Sequence, residues 1–421
     1  MLELLLIFIA IICILANNKP LALLIILGFL YSDWIVGSGI SDFGILHNYF
    51  DVGIFLSIIL IAKLKFCVVS EKSNVLGYKW ITNGLKIFLC FFVFAIFVDI
   101  VYNNVYLLSV IKVVRLWIFL FLIFFVKYFR TDEIVKLFKY LALFTVVLSA
   151  VFIVEKFFDI SFTGALRTRG GTRASLPWPP AMLVFVLFVT NYFKVNFLYK
   201  ALSISIIIVN LMLCGSRSYF LAYILCFALY WILGKITLRK IVLLIGVIVV
   251  VFGVFSTENI LSERFAESKE ELQEVKSGST DVEGNLTFRL LLTKERFEYV
   301  VDSPVRFVFG IGCVQEKDFP KNVFSVGLKR DGDIVQIDTG DVSWSLLFIR
   351  FGVVGTFVYL FYFMRRYLQI TWKNRSDVVG KSLFVYVVTN LLFMSWTYPF
   401  IANSIFWVVP ILGLKLIKQR I

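Results

Sequence analysis

Apolar runs of about 15 to 23 residues recur along most of the chain, separated by short basic connections. Their boundaries predict spans at roughly 2–16, 20–37, 45–62, 84–102, 105–126, 137–158, 178–193, 199–214, 218–234, 241–255, 342–364, 380–399 and 401–414. The runs are continuous rather than alternating, which fits a closed β-barrel poorly and predicts helices. The fold class is therefore all-α: a polytopic membrane helix bundle of about 12–13 transmembrane helices. One stretch breaks the pattern. Residues 256–341 form a hydrophilic segment of 86 residues between apolar flanks. It divides the chain into an N-terminal transmembrane bundle (1–255), a large outer loop expected to act as a lid (256–341) and C-terminal transmembrane helices (342–421).

Helical periodicity returns inside the loop. Ile260, Leu261, Phe265, Leu272 and Val275 form a thin apolar stripe over 258–276. The stripe over 286–301 is stronger, with Leu286, Leu290 and Phe297 at helical spacing and Pro304 ending the pattern. This second helix is expected to lie on the membrane face of the protein or to pack on another helix. Glycine and charge dominate from Gly310 to Asp341.

Charge adds sidedness. The loop carries 17 acidic and 11 basic residues, the rest of the chain 11 acidic and 31 basic, so a charge of −6 faces one of +20. A net charge of +14 could suit nucleic acid, but the cations sit in short connections, where they orient spans. Six basic clusters, beginning at Lys63, Lys127, Lys194, Lys235, Arg365 and Lys415, fall on one side if the spans alternate. That side is expected to be cytoplasmic. Segment 159–180, the turn at Gly215-Ser216-Arg217 and the long loop then lie outside, as does the N-terminus if the first run is a true span. That run, Leu2 to Ala16, lacks the basic lead and cleavage site of a signal peptide. The six cysteines contain no CxxC pair, and the single histidine, His47, excludes a His-rich metal site.

Several charges call for an account. Arg167, Arg169 and Arg173, in RTRGGTRASLPWPP, break the rule that outer loops are poor in Arg. Glycine permits close backbone approach and Arg offers forked donors, so an anion site is one reading. Pairing with lipid headgroups or with the acidic loop is the other. Arg217, in LCGSRSYF between two spans, needs a partner, a task or a route to water. Arg289 and Arg296 are seven apart and share a face of the loop helix, where Glu295 and Glu298 could neutralise them. Asp338 and Asp341 precede the span at 342, as helix caps or as a general base. Lys112, Arg115 and Arg350 lie within spans, with Asp99 and Glu155 as candidate partners. Asp331-Gly332-Asp333 has the form of a metal–nucleotide DxD but reads better as a turn.

Four stretches, in order, resemble the bacterial O-antigen polymerase and O-antigen ligase superfamily. RTRGGTRASLP (Arg167 to Pro177) is similar to its R-x-x-G-T-x-x-x-P-N loop, with Trp178 where Asn is common. LMLCGSRSYFLAYIL is similar to its SR-containing span pair. FRLLLTKERFEYVVDSPVRFVFGIG is similar to its Arg-bearing helix followed by P-x-x-x-x-x-G-x-G. DVSWSLLFIRFGVVG resembles its re-entry into the membrane, which in ligases begins with a His-Asn pair. At the ligase His position, eleven residues before Gly352, stands Asp341.

The resemblance implies a metal-independent glycosyltransferase without cofactors, working at the periplasmic face of the inner membrane. The Asp in place of His favours a Wzy-type repeat-unit polymerase over a ligase. Its substrates would be polyprenyl-diphosphate-linked oligosaccharides in the membrane lipid, with a chain-length regulator and a flippase as further partners and no nucleic acid. Arg217 and Arg289 would hold the diphosphate with help from Arg167, Arg169, Arg173 and Arg296. Asp341 would serve the acceptor hydroxyl, with Asp338 and Arg350 in secondary roles. A flippase would be expected to have two similar halves and no such loop. A metal-dependent lipid-linked glycosyltransferase would need more acid in the first outer loop than Asp42.

Overall fold

The computed structural model describes residues 2–31, 49–66, 77–101, 105–158, 160, 180–214, 217–234, 245, 285–327, 329–330, 332–337, 342–393, 395 and 404–417. The bundle helices are α1 (Leu2–Leu15), α2 (Lys19–Tyr31), α3 (Tyr49–Phe66), α4 (Tyr78–Val101), α5 (Leu107–Val114), α6 (Thr131–Phe158), α7 (Pro180–Val189), α8 (Phe197–Leu213) and α9 (Arg217–Ile232). The loop contributes α10 (Asn285–Val301), α11 (Pro304–Phe309) and a two-residue hairpin, β1 (Lys329–Arg330) with β2 (Asp333–Ile334). The chain returns through α12 (Ser343–Val358), a π-helical turn (Tyr359–Met364), α13 (Arg365–Lys373), α14 (Val378–Leu392) and α15 (Val408–Gly413). The protein is an all-α membrane helix bundle.

Among the described residues, three helical stretches are long and apolar enough to cross a bilayer: Tyr78–Val101, Thr131–Phe158 and Ser343–Lys373. Seven shorter apolar helices of 10–17 residues accompany them. Twelve of the predicted spans coincide with helices; the run at 241–255 lies outside the described residues apart from Ile245. The run at 105–126 is not a single straight helix. It bends by 51° between Leu107–Val114 and Phe119–Tyr128. Arg115, at the bend, pairs with Asp51 of α3 at 2.5 Å, which replaces the expected partners Asp99 and Glu155. An ion pair at this depth avoids the cost of a lone intramembrane charge. Glu155 is buried in α6, and Lys112 is exposed.

The bundle's centre is aromatic. Phe88 and Phe92 of α4, Trp117, Phe351 of α12 and Tyr359 interlock, with Trp117 and Phe351 edge-to-face at 4.6 Å. Tyr367 of α13 donates to Pro410 O at 3.0 Å and tethers α15. Small residues allow the closest crossings. A Cβ on Gly84 of α4 would lie 1.8 Å from Tyr362 O, whereas one on Gly28 of α2 meets nothing within 4 Å. Gly84→Val is therefore expected to lower the melting temperature in detergent by several degrees, with Gly28→Val close to wild type; overpacking typically costs about 1–3 kcal/mol. Equal melting temperatures for the two variants would refute the tight α4 crossing.

Candidate functional site

The loop's described part is a small folded cap with its own core. Val300, Ile311, Phe324 and Ile337 bury against Ile349 of α12, and Tyr299, Phe319, Ile334 and Val353 surround them. The helix α10 forms where the amphipathic stripe predicts, and Pro304 opens α11 after a break at 302–303. The face carrying Arg289, Leu292, Arg296 and Val300 turns inward, with α10 packed along α12.

Arg296 is the pin of this cap. Its side chain is fully buried. Nε donates to Ile337 O at 3.2 Å and Nη2 to Gln336 O at 2.7 Å. Nη1 meets Glu295 Oε2 at 2.5 Å, and the guanidinium lies 3.8 Å over the Phe324 ring. Glu295 also accepts from the Ser325 hydroxyl at 2.7 Å and from the Val326 amide at 3.1 Å. One Arg–Glu unit thus ties two distant strips of loop, 324–326 and 336–337, to a single helical turn. This environment corrects the expectation that Arg296 grips a diphosphate, since its donors serve Glu295 and the backbone of its own loop.

A second set of contacts fixes the cap to the bundle. Gly310 (φ +71°) and Gly352 (φ +67°) cross backbone to backbone. A Cβ on Gly310 would stand 2.4 Å from Ile349 O, and one on Gly352 would stand 2.6 Å from Phe307 O. Both the contact and the left-handed backbone demand glycine. Gly352 also interrupts the helical dihedrals of α12, and the Ile349 carbonyl instead accepts from the Ile311 amide at 2.8 Å. Next to this crossing, Asp99 of α4 accepts from the Cys313 amide at 2.8 Å, and Gly312 (φ +67°) leaves room for its carboxylate. From the other side Arg350 donates to Gly312 O at 3.1 Å and to Val314 O. Arg350 is thus a loop anchor. Farther along, Ser109 of α5 donates to Asp318, and Gln315 donates to Ser109 O at 3.3 Å.

Asp333 of the DxD stretch belongs to the hairpin around Gly332 (φ +87°), consistent with the turn reading. Its carboxylate takes hydrogen bonds from Lys321 at 2.9 Å and Asn322 at 2.8 Å, which hold it below the usual carboxylate range. Burial, reinforced by Asp99, pushes the Cys313 thiol up to about 12.

Of the other predicted site residues, Arg289 is half-buried, two turns before Arg296 on the inward face of α10. Arg217 opens α9, which packs mainly on α14, α7 and α8, so it stands on a different helix group from Arg289. The Arg217 side chain, Arg167, Arg169, Arg173, Asp338 and Asp341 lie outside the described residues. The chain on either side of 338–341 is well buried: Ile337 in the cap core, Val342 and Ser343 at the start of α12. Sequence reasoning named Glu295 as a partner for Arg296, as the structure shows, and Asp99 as a partner for intramembrane cations, but it missed the hydrogen bonds by which both hold loop backbone amides. The signal for Asp99 was a carboxylate at the end of an apolar run.

Two outcomes follow from this geometry. Arg296→Ala should cost about 3–5 kcal/mol by removing the cation beside Glu295 and the donor to two carbonyls, read as loss of folded protein in detergent; unchanged folding would contradict the pin. Cys313, raised to about 12, should resist iodoacetamide at pH 8, because the thiolate is the reactive form. Gly310→Val should speed its alkylation at least about tenfold by mass spectrometry, whereas rapid labelling in the unmodified protein would refute the burial.

Residues 202–360 match the family described as O-Antigen ligase. No curated protein gives a significant match. The matched stretch runs from α8 through the cap to the π-helical turn after α12, and so includes Arg217, Arg289, the Gly310–Gly352 crossing and Asp341. Residues 202–360 thus carry the domain of the O-antigen polymerase and ligase superfamily.

Proposed function

We propose that the protein polymerises lipid-linked oligosaccharide repeat units at the periplasmic face of the inner membrane. The donor glycan is carried on polyprenyl diphosphate, and the acceptor is the terminal sugar hydroxyl of a second lipid-linked unit. The observation that carries polymerase over ligase is Asp341 at the position of the ligase His, in a chain whose only histidine is His47.

The acceptor oxygen attacks the donor's anomeric carbon, and the bond from that carbon to the diphosphate oxygen breaks. The electron pair leaves with the polyprenyl diphosphate, and the hydroxyl proton passes to Asp341. Arg217 and Arg289, with Arg167, Arg169 and Arg173, hold the diphosphate and offset the charge that develops as it departs. Arginine does this electrostatic work without a metal ion. Arg296 and Arg350 act one step removed. They fix the segments that run into Asp341 and α12, so they are positioning residues. Apolar surfaces between the helices take the lipid tails, and a flippase and a chain-length regulator supply and limit the substrate. Ligation of glycan to a lipid A core is the second reading, favoured by the description of the matched family.

Deletion of the gene should leave a single capped repeat unit on lipid A in gels of surface polysaccharide. Complete loss of capped core would instead indicate a ligase or a flippase. Arg217→Ala, Arg289→Ala and Asp341→Asn should each cut polymer at least about tenfold, the scale of one lost charge-assisted or proton-transfer contribution, at normal protein abundance. Arg350→Ala should lower abundance as well. Full-length polysaccharide from Arg217→Ala and Arg289→Ala would overturn the mechanism.

A further inference from the structure

A groove opens where α6, α7 and α8 diverge at a basic end of the bundle, with a volume of about 660 Å³. This is within the size range of small-molecule sites. Its floor is apolar, built by Ala142, Leu143 and Val146 of α6 with Phe188 and Phe193. Lys139 and Lys194 stand at its rim beside Tyr192 and Tyr199. Neither lysine forms an ion pair among the described residues. The neighbouring acids are committed elsewhere: Asp132 to Arg130 at 2.5 Å, Glu133 to Lys19 at 3.2 Å, and Asp377 to the N-terminal amides of α14. Lys200 is turned away to Val189 O and the Asn191 side chain.

The surrounding face is suited to lipid. Phe197, Leu198 and Tyr199 at the start of α8 are more than two-thirds exposed or nearly so, at 82%, 71% and 67%, and Leu143 is exposed beside them. Aromatic and aliphatic side chains next to lysines are what a bilayer interface selects. The groove combines a slot for hydrocarbon with two cations at its mouth and no unpaired carboxylate among its lining.

We infer that this groove binds an anionic phospholipid, with one acyl chain along the α6 floor and the phosphate between Lys139 and Lys194. A zwitterionic lipid would fill the slot equally well but would bring a cationic group to a site that already holds two. Discrimination therefore rests on charge, and basic pockets between membrane helices recognise anionic headgroups in this way. The groove lies on α6–α8, apart from the cap, α10 and α12.

The test is native mass spectrometry of the full-length protein released from nanodiscs of equimolar phosphatidylglycerol and phosphatidylcholine. The wild type should retain phosphatidylglycerol at least fivefold over phosphatidylcholine. Lys139→Gln/Lys194→Gln should bring the ratio close to one, Lys86→Gln on α4 should leave it unchanged, and Leu143→Trp should reduce retention of both lipids. Equal retention of both lipids by the wild type would overturn the inference. So would a phosphatidylglycerol preference that survives in the double variant, or displacement of bound phosphatidylglycerol by stoichiometric polyprenyl phosphate, which would assign the groove to the carrier lipid.

Discussion

Two glycines hold the arrangement together. Gly310 in the loop and Gly352 in the returning helix bring their backbones into direct contact, and each adopts a left-handed backbone that an L side chain rarely takes. The crossing interrupts the helical dihedrals of α12, and the Ile349 carbonyl accepts the Ile311 amide of the loop. A carboxylate from α4 and a guanidinium from α12 then close on the same few loop residues, 312 to 314. Buried charges of this kind are costly unless hydrogen-bonded, and here each has backbone partners. The loop is thus joined to the bundle by its main chain, and side-chain charge reinforces the joint.

This joint shapes the proposed chemistry. A lid that lifts on each turnover would have to break the glycine crossing, the Asp99–Cys313 contact and the Arg350 contacts together. A fixed cap instead holds Arg289 on an inward helical face and carries the chain into α12 past Asp341. In such an arrangement the proposed lipid-linked substrates would have to enter sideways between helices. Arg296 and Arg350 feed backbone carbonyls and build the frame, and Arg289 lies two turns before Arg296 on the inward face of α10.

Much of the frame was legible in the sequence. Continuous apolar runs predicted the helices, because backbone groups in lipid must be satisfied within a segment. The stripe through Leu290 and Phe297 and the stop at Pro304 located α10 closely. Three things were not legible. Arg115, at the bend, pairs with Asp51, 64 residues away, and no local pattern carries that pairing. The burial of Arg296 depends on carbonyls 40 and 41 residues later in the chain. The glycines of the GIG stretch could be read as a motif, but their partner Gly352 could be found only once the loop had folded back. Periodicity reports which face is apolar; it does not report which polar group waits on the other side.

The most direct measurement of the central claim is hydrogen–deuterium exchange across residues 308–316 in the full-length protein. Ile311 and Cys313 donate their amides to Ile349 O and to the Asp99 carboxylate. If the cap is fixed through this crossing, these amides will exchange as slowly as those of α12. Exchange at the rate of an exposed loop would contradict it.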